Sequence, residues 1–277
     1  DVFSMSNSEK AIIFIILLLM ATIVLFPIYW MILATFQPTS QALAYPPNLF
    51  FQSFSLERIF SVLHTTLISR WIINSFLVCM GVVFVNLLIS VPAAYSIARY
   101  KIRANSALLF AVLITQMMPS SIIVVPLFEL FVKFGLYNSY LSLILSNAIL
   151  SLPLGSWILV GFFENISPEI EEAALIDGAS RMALFYRISL PLTYPAIITV
   201  SIVTFFDAWN EYMFARTFIV DKVKWVGTTG LASFMGEFMT DWQAVMVSSL
   251  LFSFIPMMLY ILLRKHIIRG VTEGFSK

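Results

Sequence analysis

The sequence predicts an all-α, polytopic membrane protein with six transmembrane helices. Hydrophobic residues make up 60% of the 277 residues and charged residues only 11%, whereas charged residues approach a quarter of a typical water-soluble domain. A helix needs about 20 mostly apolar residues to cross the roughly 30 Å hydrocarbon core of a bilayer. Six stretches meet this requirement, approximately residues 11–36, 71–98, 105–128, 138–163, 189–214 and 244–263.

The basic residues predict how these spans are oriented. An even number of spans places both termini on one side of the membrane, and positively charged loops stay in the cytoplasm. Ten basic residues fall on the side of the termini and six on the other, with dense groups at residues 99–103 and 264–266. We therefore expect a cytoplasmic N-terminal tail at residues 1–10, a membrane domain at 11–263 and a cytoplasmic C-terminal tail at 264–277.

Composition and missing motifs exclude several classes of protein. The net charge of +1 gives no electrostatic reason to expect a nucleic-acid partner. The first span is too long for a signal-peptide core, so we expect it to be retained. The single cysteine, Cys79, excludes an internal disulfide. His64 and His266 fall on opposite membrane faces under this topology, so no shared metal site is expected. No catalytic motif or phosphate-binding loop is present, so this chain is not expected to bind ATP.

The third span is interrupted by Pro119 and Pro126, with the polar Gln116 close by. A proline inside a lipid-facing helix frees carbonyl groups that neighbours or water must satisfy, so a kink that faces the bundle interior is expected. Gln116 is therefore a candidate pathway residue, and a purely structural kink is the alternative. The preceding outer segment, residues 37–70, is expected to lie folded on the membrane surface.

The fifth span carries a group of polar side chains near its outer end. Asp207, Asn210 and Glu211 stand at i, i+3 and i+4, so one helix would present them on one face. Ionisable groups at membrane depth usually face a water-filled space or each other. The sequence thus predicts a pathway or substrate role for these three residues and Trp209. The alternative is that they mark the outer interface, with Trp209 and Tyr212 as aromatic anchors.

The polar loop at residues 164–188 has the pattern of two short helices. Ser167 and Pro168 suit the start of a first helix, and the acidic residues that follow favour its positive end. Gly178 is expected to end this helix with a positive φ. Ser180 is expected to cap a second helix, which Pro191 closes or kinks.

This loop resembles the EAA loop of ABC-importer permeases. The residues that carry the resemblance are Glu172, Ala173, Ala174, Asp177, Gly178, Ala179, Phe185, Ile188, Leu190, Pro191 and Pro195. The resemblance implies the MetI-like type I importer fold. It also implies that the loop is a coupling helix that docks on a cytoplasmic ATPase, where Glu172 pairs with a basic group. A helical hairpin without a partner is the alternative.

The second outer loop, residues 216–243, resembles that of the carbohydrate, maltose-type branch of these permeases, as does the stretch from 209 to 215. Glycine, threonine and serine predict a mobile loop, with Trp225, Phe234 and Trp242 as stacking surfaces. The resemblance implies that Gly230, Phe234 and Trp242 contact a docked solute-binding protein.

The resemblance further implies a function and a set of partners. The chain would form half of the pathway for a di- or oligosaccharide in a bacterial inner membrane. A second homologous permease, two cytoplasmic ATPase copies that bind ATP and Mg²⁺, and an external solute-binding protein would complete the complex. Three alternatives stay open: import of another solute such as glycerol phosphate or a sugar acid, an ion-driven secondary transporter, and a membrane scaffold without transport.

Overall fold

A computed structural model describes residues 7–100, 114–236 and 240–275 of the chain. Over these residues the structure is built from helices, with one isolated β-bridge between Met235 and Thr240. The α-helices, in chain order, are α1 Asn7–Phe36, α2 Thr39–Ala42, α3 Glu57–Thr65, α4 Ile68–Arg99, α5 Ser120–Lys133, α6 Tyr140–Asn165, α7 Pro168–Ile176, α8 Arg181–Leu184, α9 Leu190–Leu192, α10 Tyr194–Asn210, α11 Met213–Phe218, α12 Gly227–Ala232 and α13 Trp242–Phe275. The all-α class is therefore confirmed.

Among the described residues, four helices are long and apolar enough to cross a membrane: Ser8–Phe36, Ile68–Arg99, Tyr140–Asn165 and Trp242–Arg264. They coincide with the first, second, fourth and sixth predicted spans. The chain itself covers none of the apolar stretch of α1, where Phe14 is 65% exposed, and at most half of that of the other three helices. Lipid is the solvent that suits such a surface.

The fifth predicted span differs from the single helix expected over residues 189–214. Two helical segments, Arg181–Leu192 and Tyr194–Asn210, meet at an angle of 69°. The chain breaks at Thr193, the residue before the Tyr194–Pro195 start of α10. Pro195 lacks the N–H that would continue the preceding helix, so the bend forms there rather than at Pro191.

The third predicted span falls partly outside the described residues, because residues 105–113 are not among them. Its described part confirms the expected interruption: a 3₁₀ turn at Thr115–Met117 is followed by Pro119, which is extended and precedes the 14-residue helix α5. The total of six spans therefore remains a prediction.

The described residues divide into two compact units. The larger one contains residues 69–230 outside the gap, and its core is formed where α4, α6 and α10 meet. Val91, Leu159, Phe163, Ala196 and Val200 are buried together there. This packing holds the polar loop that follows α6 against the ends of α4 and α10.

The other unit combines α1, α2 and α3 with the first part of α13. Gln243 is 1% exposed and joins these elements, because its Nε2 donates to the carbonyls of Ala34 and Gln37 at 3.1 and 2.9 Å. Its Oε1 accepts from Thr39 Oγ1 at 2.7 Å. The start of the outer segment is thus joined to α1 and α13 by hydrogen bonds, and its position on the membrane surface stays a prediction.

Candidate coupling site

The first helix of the polar loop, α7, begins and ends as its sequence predicts. Ser167 Oγ accepts from the backbone N–H of Glu169 at 3.3 Å, and Pro168 occupies the first turn. Gly178 has φ +85°, a conformation that favours glycine. The N–H of Gly178 donates to Leu175 O and that of Ala179 to Ala174 O, which is the Schellman pattern of a helix end.

The second half of the loop is less regular than expected. Ser180 caps α8 as predicted, since its Oγ accepts from Ala183 N at 3.2 Å. The helix then widens into a π-helical segment, Phe185–Ser189, before α9 and the break at Thr193. π-helical segments are rare, and they occur frequently at functional sites.

One acidic side chain of α7 is buried, and it is Glu171. Its Oε1 accepts from Arg99 Nε at 2.8 Å and from Ser189 Oγ at 2.8 Å. The side chains of Arg99 and Glu171 are only 14% and 12% exposed. Arg99 Nη2 also donates to Ile166 O, at the end of α6, at 3.2 Å. Ends of four elements therefore meet at one ion pair.

The predicted coupling residues lie on the exposed surface of the loop, away from the buried ion pair. Glu172, Ala173, Asp177 and Gly178 are exposed, and Ala174 and Ala179 are half-buried. The tip of the loop also presents apolar side chains: Ile176 is 86% exposed and Met182 66%. An acidic and apolar tip of this kind is a surface that another protein can bind.

A groove of about 610 Å³ lies beside α7. It is lined by charged and aromatic side chains that include Tyr95, Tyr100, Glu172 and Arg181. The guanidinium carbon of Arg181 is 5.8 Å from the centroid of the Tyr100 ring, and its Nη1 donates to the Tyr100 hydroxyl at 3.3 Å. Arg181, although exposed, is thus oriented towards the end of α4.

The polar residues predicted at the outer end of the fifth span do not share one helix in the structure. Helix α10 ends at Asn210, and Glu211 has extended backbone angles. The expected shared face is therefore wrong for Glu211, whose carboxylate instead accepts from the N–H groups of Phe214 and Ala215 at 2.7 and 3.0 Å. Trp209 is 2% exposed and stacks on Phe205, so it neither faces a pathway nor forms an interfacial anchor.

Asp207 and Asn210 remain accessible on α10. Asp207 borders a narrow cleft between α6 and α10 together with Ser151, Gly155 and Thr204. Asn210 Nδ2 donates to Phe206 O within its own helix at 2.8 Å. Gln116 is exposed in its 3₁₀ turn and donates to Leu150 O. Among the predicted pathway residues, Asp207 is thus the one that is exposed and borders a cleft between two helices.

The second outer loop is more ordered than its composition predicted. Gly230 lies on α12 and is buried against the Trp71 ring, so an added Cβ would be 2.0 Å from Trp71 Cε3. Trp225, expected as a stacking surface, is 8% exposed, and its ring centroid is 5.7 Å from that of Trp71. Asn74 Nδ2 donates to the carbonyls of Val223 and Trp225. This part of the loop is therefore packed on α4.

The other two predicted contact residues are more accessible. Trp242, at the start of α13, is 55% exposed, and Phe234 is half-buried. Residues 237–239, between them, lie outside the described residues.

The fold and the loop together define a class of protein: a multi-pass membrane subunit with an accessible helical loop suited to a partner. Residues 87–273 match the model of one family, described as the binding-protein-dependent transport system inner membrane component. The match covers more than half of the chain, and the chain belongs to this family. It is therefore the non-catalytic permease subunit of an ABC importer.

Two relatives and one solved structure illustrate the similarity. The chain is 33% identical to the trehalose/maltose transport system permease protein MalG of Thermococcus litoralis, over 97% of each chain. It is 29% identical to the sulfoquinovosyl glycerol transport system permease protein SmoH of Agrobacterium fabrum, over 91% of this chain and 89% of that one. The crystal structure of a bacterial ABC transporter for alginate import contains a chain with the same fold, with TM-score 0.77, 20% identity and coverage of 98% and 99%.

The residue that sequence reasoning missed is Glu171. In the sequence, Glu171 is one of the acidic residues that favour a helix N-terminus, and Arg99 is one of the basic residues that indicate the cytoplasmic side. Because neighbouring residues on a helix are about 100° apart, the helical periodicity alone indicates that Glu171 and Glu172 point in different directions. No local pattern indicates that Arg99, 72 residues away, contacts Glu171.

Proposed function

We propose that this permease subunit forms half of the translocation pathway for a di- or oligosaccharide and couples to its ATPase through the loop at residues 164–188. Both termini and this loop would lie in the cytoplasm. A second homologous permease, two copies of the ATPase and an external solute-binding protein would complete the importer. One observation above all supports the proposal. The loop exposes Glu172 and the apolar tip residue Ile176, while the buried ion pair between Glu171 and Arg99 holds it against α4.

A protruding tip of this kind suits a socket in a partner protein. Ile176 is 86% exposed, and burying such a side chain contributes about 1.5–3 kcal/mol. The carboxylate of Glu172 can pair with a basic group of the ATPase at the edge of that contact. ATP, held with Mg²⁺ by the ATPase pair, would close the pair and displace the docked loop. Rigid-body movement of the attached helices would then open the pathway outward.

The carbohydrate assignment is supported by the names of the relatives, which refer to trehalose or maltose and to sulfoquinovosyl glycerol. Asp207 and Asn210, accessible near the outer end of α10, offer groups that can hydrogen-bond to hydroxyls. Phe234 and Trp242 would contact the docked solute-binding protein. Glycerol phosphate or a sugar acid would use the same architecture, so these solutes belong in the test.

Uptake into proteoliposomes tests this proposal. The complete complex, reconstituted with its binding protein, should accumulate radiolabelled di- or oligosaccharide only when ATP is on the side of the loop. Glycerol 3-phosphate and a uronic acid should not compete with the sugar. Uptake without ATP, driven by an ion gradient alone, would reject the coupling role. Preferential uptake of glycerol 3-phosphate would reject the sugar assignment but leave the coupling role intact.

A further inference from the structure

We propose that Glu171 is the positioning residue through which movement of the coupling helix reaches the second and fifth spans. This inference rests on the proposed function of the loop, and it assigns different roles to two adjacent acids. Glu172 would bind the ATPase, whereas Glu171 would connect the docked helix α7 to the membrane helices. Glu171 is not among the residues that carry the resemblance to the EAA loop.

The geometry at Glu171 brings three elements to a single atom. Oε1 of Glu171, on α7, accepts from Arg99 at the end of α4 and from Ser189 at the end of the π-helical segment, both at 2.8 Å. Ser189 is 0% exposed. A displacement of α7 relative to either neighbour would therefore lengthen a buried, charge-assisted hydrogen bond. Movement of all three together would preserve both bonds.

Arg99 extends this connection to a fourth element. Its Nη2 donates to Ile166 O, where α6 ends and the loop begins. Farther along the helices that meet at the ion pair, Phe163, Val91 and Ala196 belong to the shared core of α6, α4 and α10. Side chains in such a core are closely packed and transmit displacement rather than absorb it. The loop and the adjacent ends of these helices thus form one rigid block.

The block is followed by a point at which the chain can bend. The π-helical segment, Phe185–Ser189, leads through α9 to the break at Thr193, where the axes of the two segments differ by 69°. A helix without regular i→i−4 hydrogen bonds changes its angle more easily than a continuous one. A push on α7 would therefore move α4 and Ser189 together and change the angle at Thr193.

Three substitutions separate this role from docking. Glu171→Gln removes the charge that holds Arg99 while it keeps the shape of the side chain. Glu172→Gln makes the same change at the adjacent, exposed position. Glu57→Gln is the matched control, because Glu57 is an exposed acid at the start of α3, outside the loop. Each variant is measured in the complete complex for two properties: retention of the ATPase during purification through a tag on this chain, and uptake per ATP hydrolysed.

The account predicts a different result for each variant. Glu171→Gln should retain the ATPase as the wild type does, while uptake per ATP falls by about tenfold, a typical size for a coupling between sites. Glu172→Gln should instead lower retention of the ATPase. Glu57→Gln should change neither property. The double variant Arg99→Glu, Glu171→Arg restores the opposite charges and should recover uptake per ATP relative to either single change.

Two results would overturn the proposal. One is wild-type uptake per ATP in Glu171→Gln, and the other is a loss of ATPase retention equal to that of Glu172→Gln. If Glu171→Gln does not insert, the charge swap replaces it as the test: uptake per ATP no higher in the Arg99→Glu, Glu171→Arg variant than in Arg99→Glu alone would then overturn the proposal. Failure of the wild-type chain to retain any ATPase would instead reject the proposed function itself.

Discussion

Substitution of Gly230 by alanine distinguishes a packing role from a contact role in the second outer loop. A Cβ at this position would lie 2.0 Å from Cε3 and 2.5 Å from Cδ2 of the Trp71 ring. The ring is held in place, since its Nε1 donates to Lys222 O at 2.7 Å. Overpacking costs about 1–3 kcal/mol and loss of one hydrogen bond about 0.5–1.5 kcal/mol. We therefore expect Gly230→Ala to lower the free energy of unfolding by about 1.5–4.5 kcal/mol.

Thermal unfolding of the purified complex in detergent measures this effect, and Gly161→Ala is the matched control. Gly161 lies in α6, and an added Cβ would have no neighbour within 4 Å. Its replacement should therefore leave stability unchanged or raise it by up to about 1 kcal/mol. The folded fraction of Gly230→Ala should bind the solute-binding protein as the wild type does. Unchanged stability combined with weaker binding would show that Gly230 lies on a contact surface and would refute the reasoning.

Four further substitutions test other parts of the structure. Glu172→Lys should abolish solute-stimulated ATP hydrolysis while the subunit still inserts, because it places a like charge at the expected basic partner; normal stimulation would reject the docking role. Gln243→Leu leaves the carbonyls of Ala34 and Gln37, at the end of α1, without their donor and should cost about 1–3 kcal/mol in thermal unfolding; an unchanged melting temperature would contradict this. Trp242→Ala should weaken binding-protein-stimulated hydrolysis but not basal hydrolysis, and equal loss of both would argue against a contact. Asp207→Asn should change the KM for uptake more than Asp207→Glu does, and identical KM values in both variants would exclude a pathway role.

The long apolar spans could be predicted from the sequence because lipid imposes a simple requirement of length and hydropathy. Ser8–Phe36 and Tyr140–Asn165 match the predicted spans within a few residues. The ends of α7 were predictable for a different reason, since Ser167 and Gly178 act on their own backbone neighbourhood. Local rules of this kind need no knowledge of tertiary contacts.

The remaining features depend on contacts between distant residues. The bend at Thr193 was assigned to Pro191, because both Pro191 and Pro195 can end a helix and sequence does not rank them. Gly230 was interpreted as part of a mobile loop, since its buried neighbour Trp71 is more than 150 residues away in the chain. The sequence pattern places Glu211 on the same helical face as Asp207, but the helix ends one residue earlier, at Asn210. A sequence pattern does not define a helix end to within one or two residues.

The central claim is that the loop at residues 164–188 faces the cytoplasm and docks on the ATPase. A single-cysteine form tests it most directly: Ile176→Cys at the exposed tip, combined with Cys79→Ala to remove the only native cysteine. The account predicts that a short thiol-to-amine cross-linker joins this variant to the ATPase in inverted membrane vesicles, and that ATP changes the yield. Modification of the variant in intact cells by a membrane-impermeant maleimide, without any ATPase cross-link, would contradict the account.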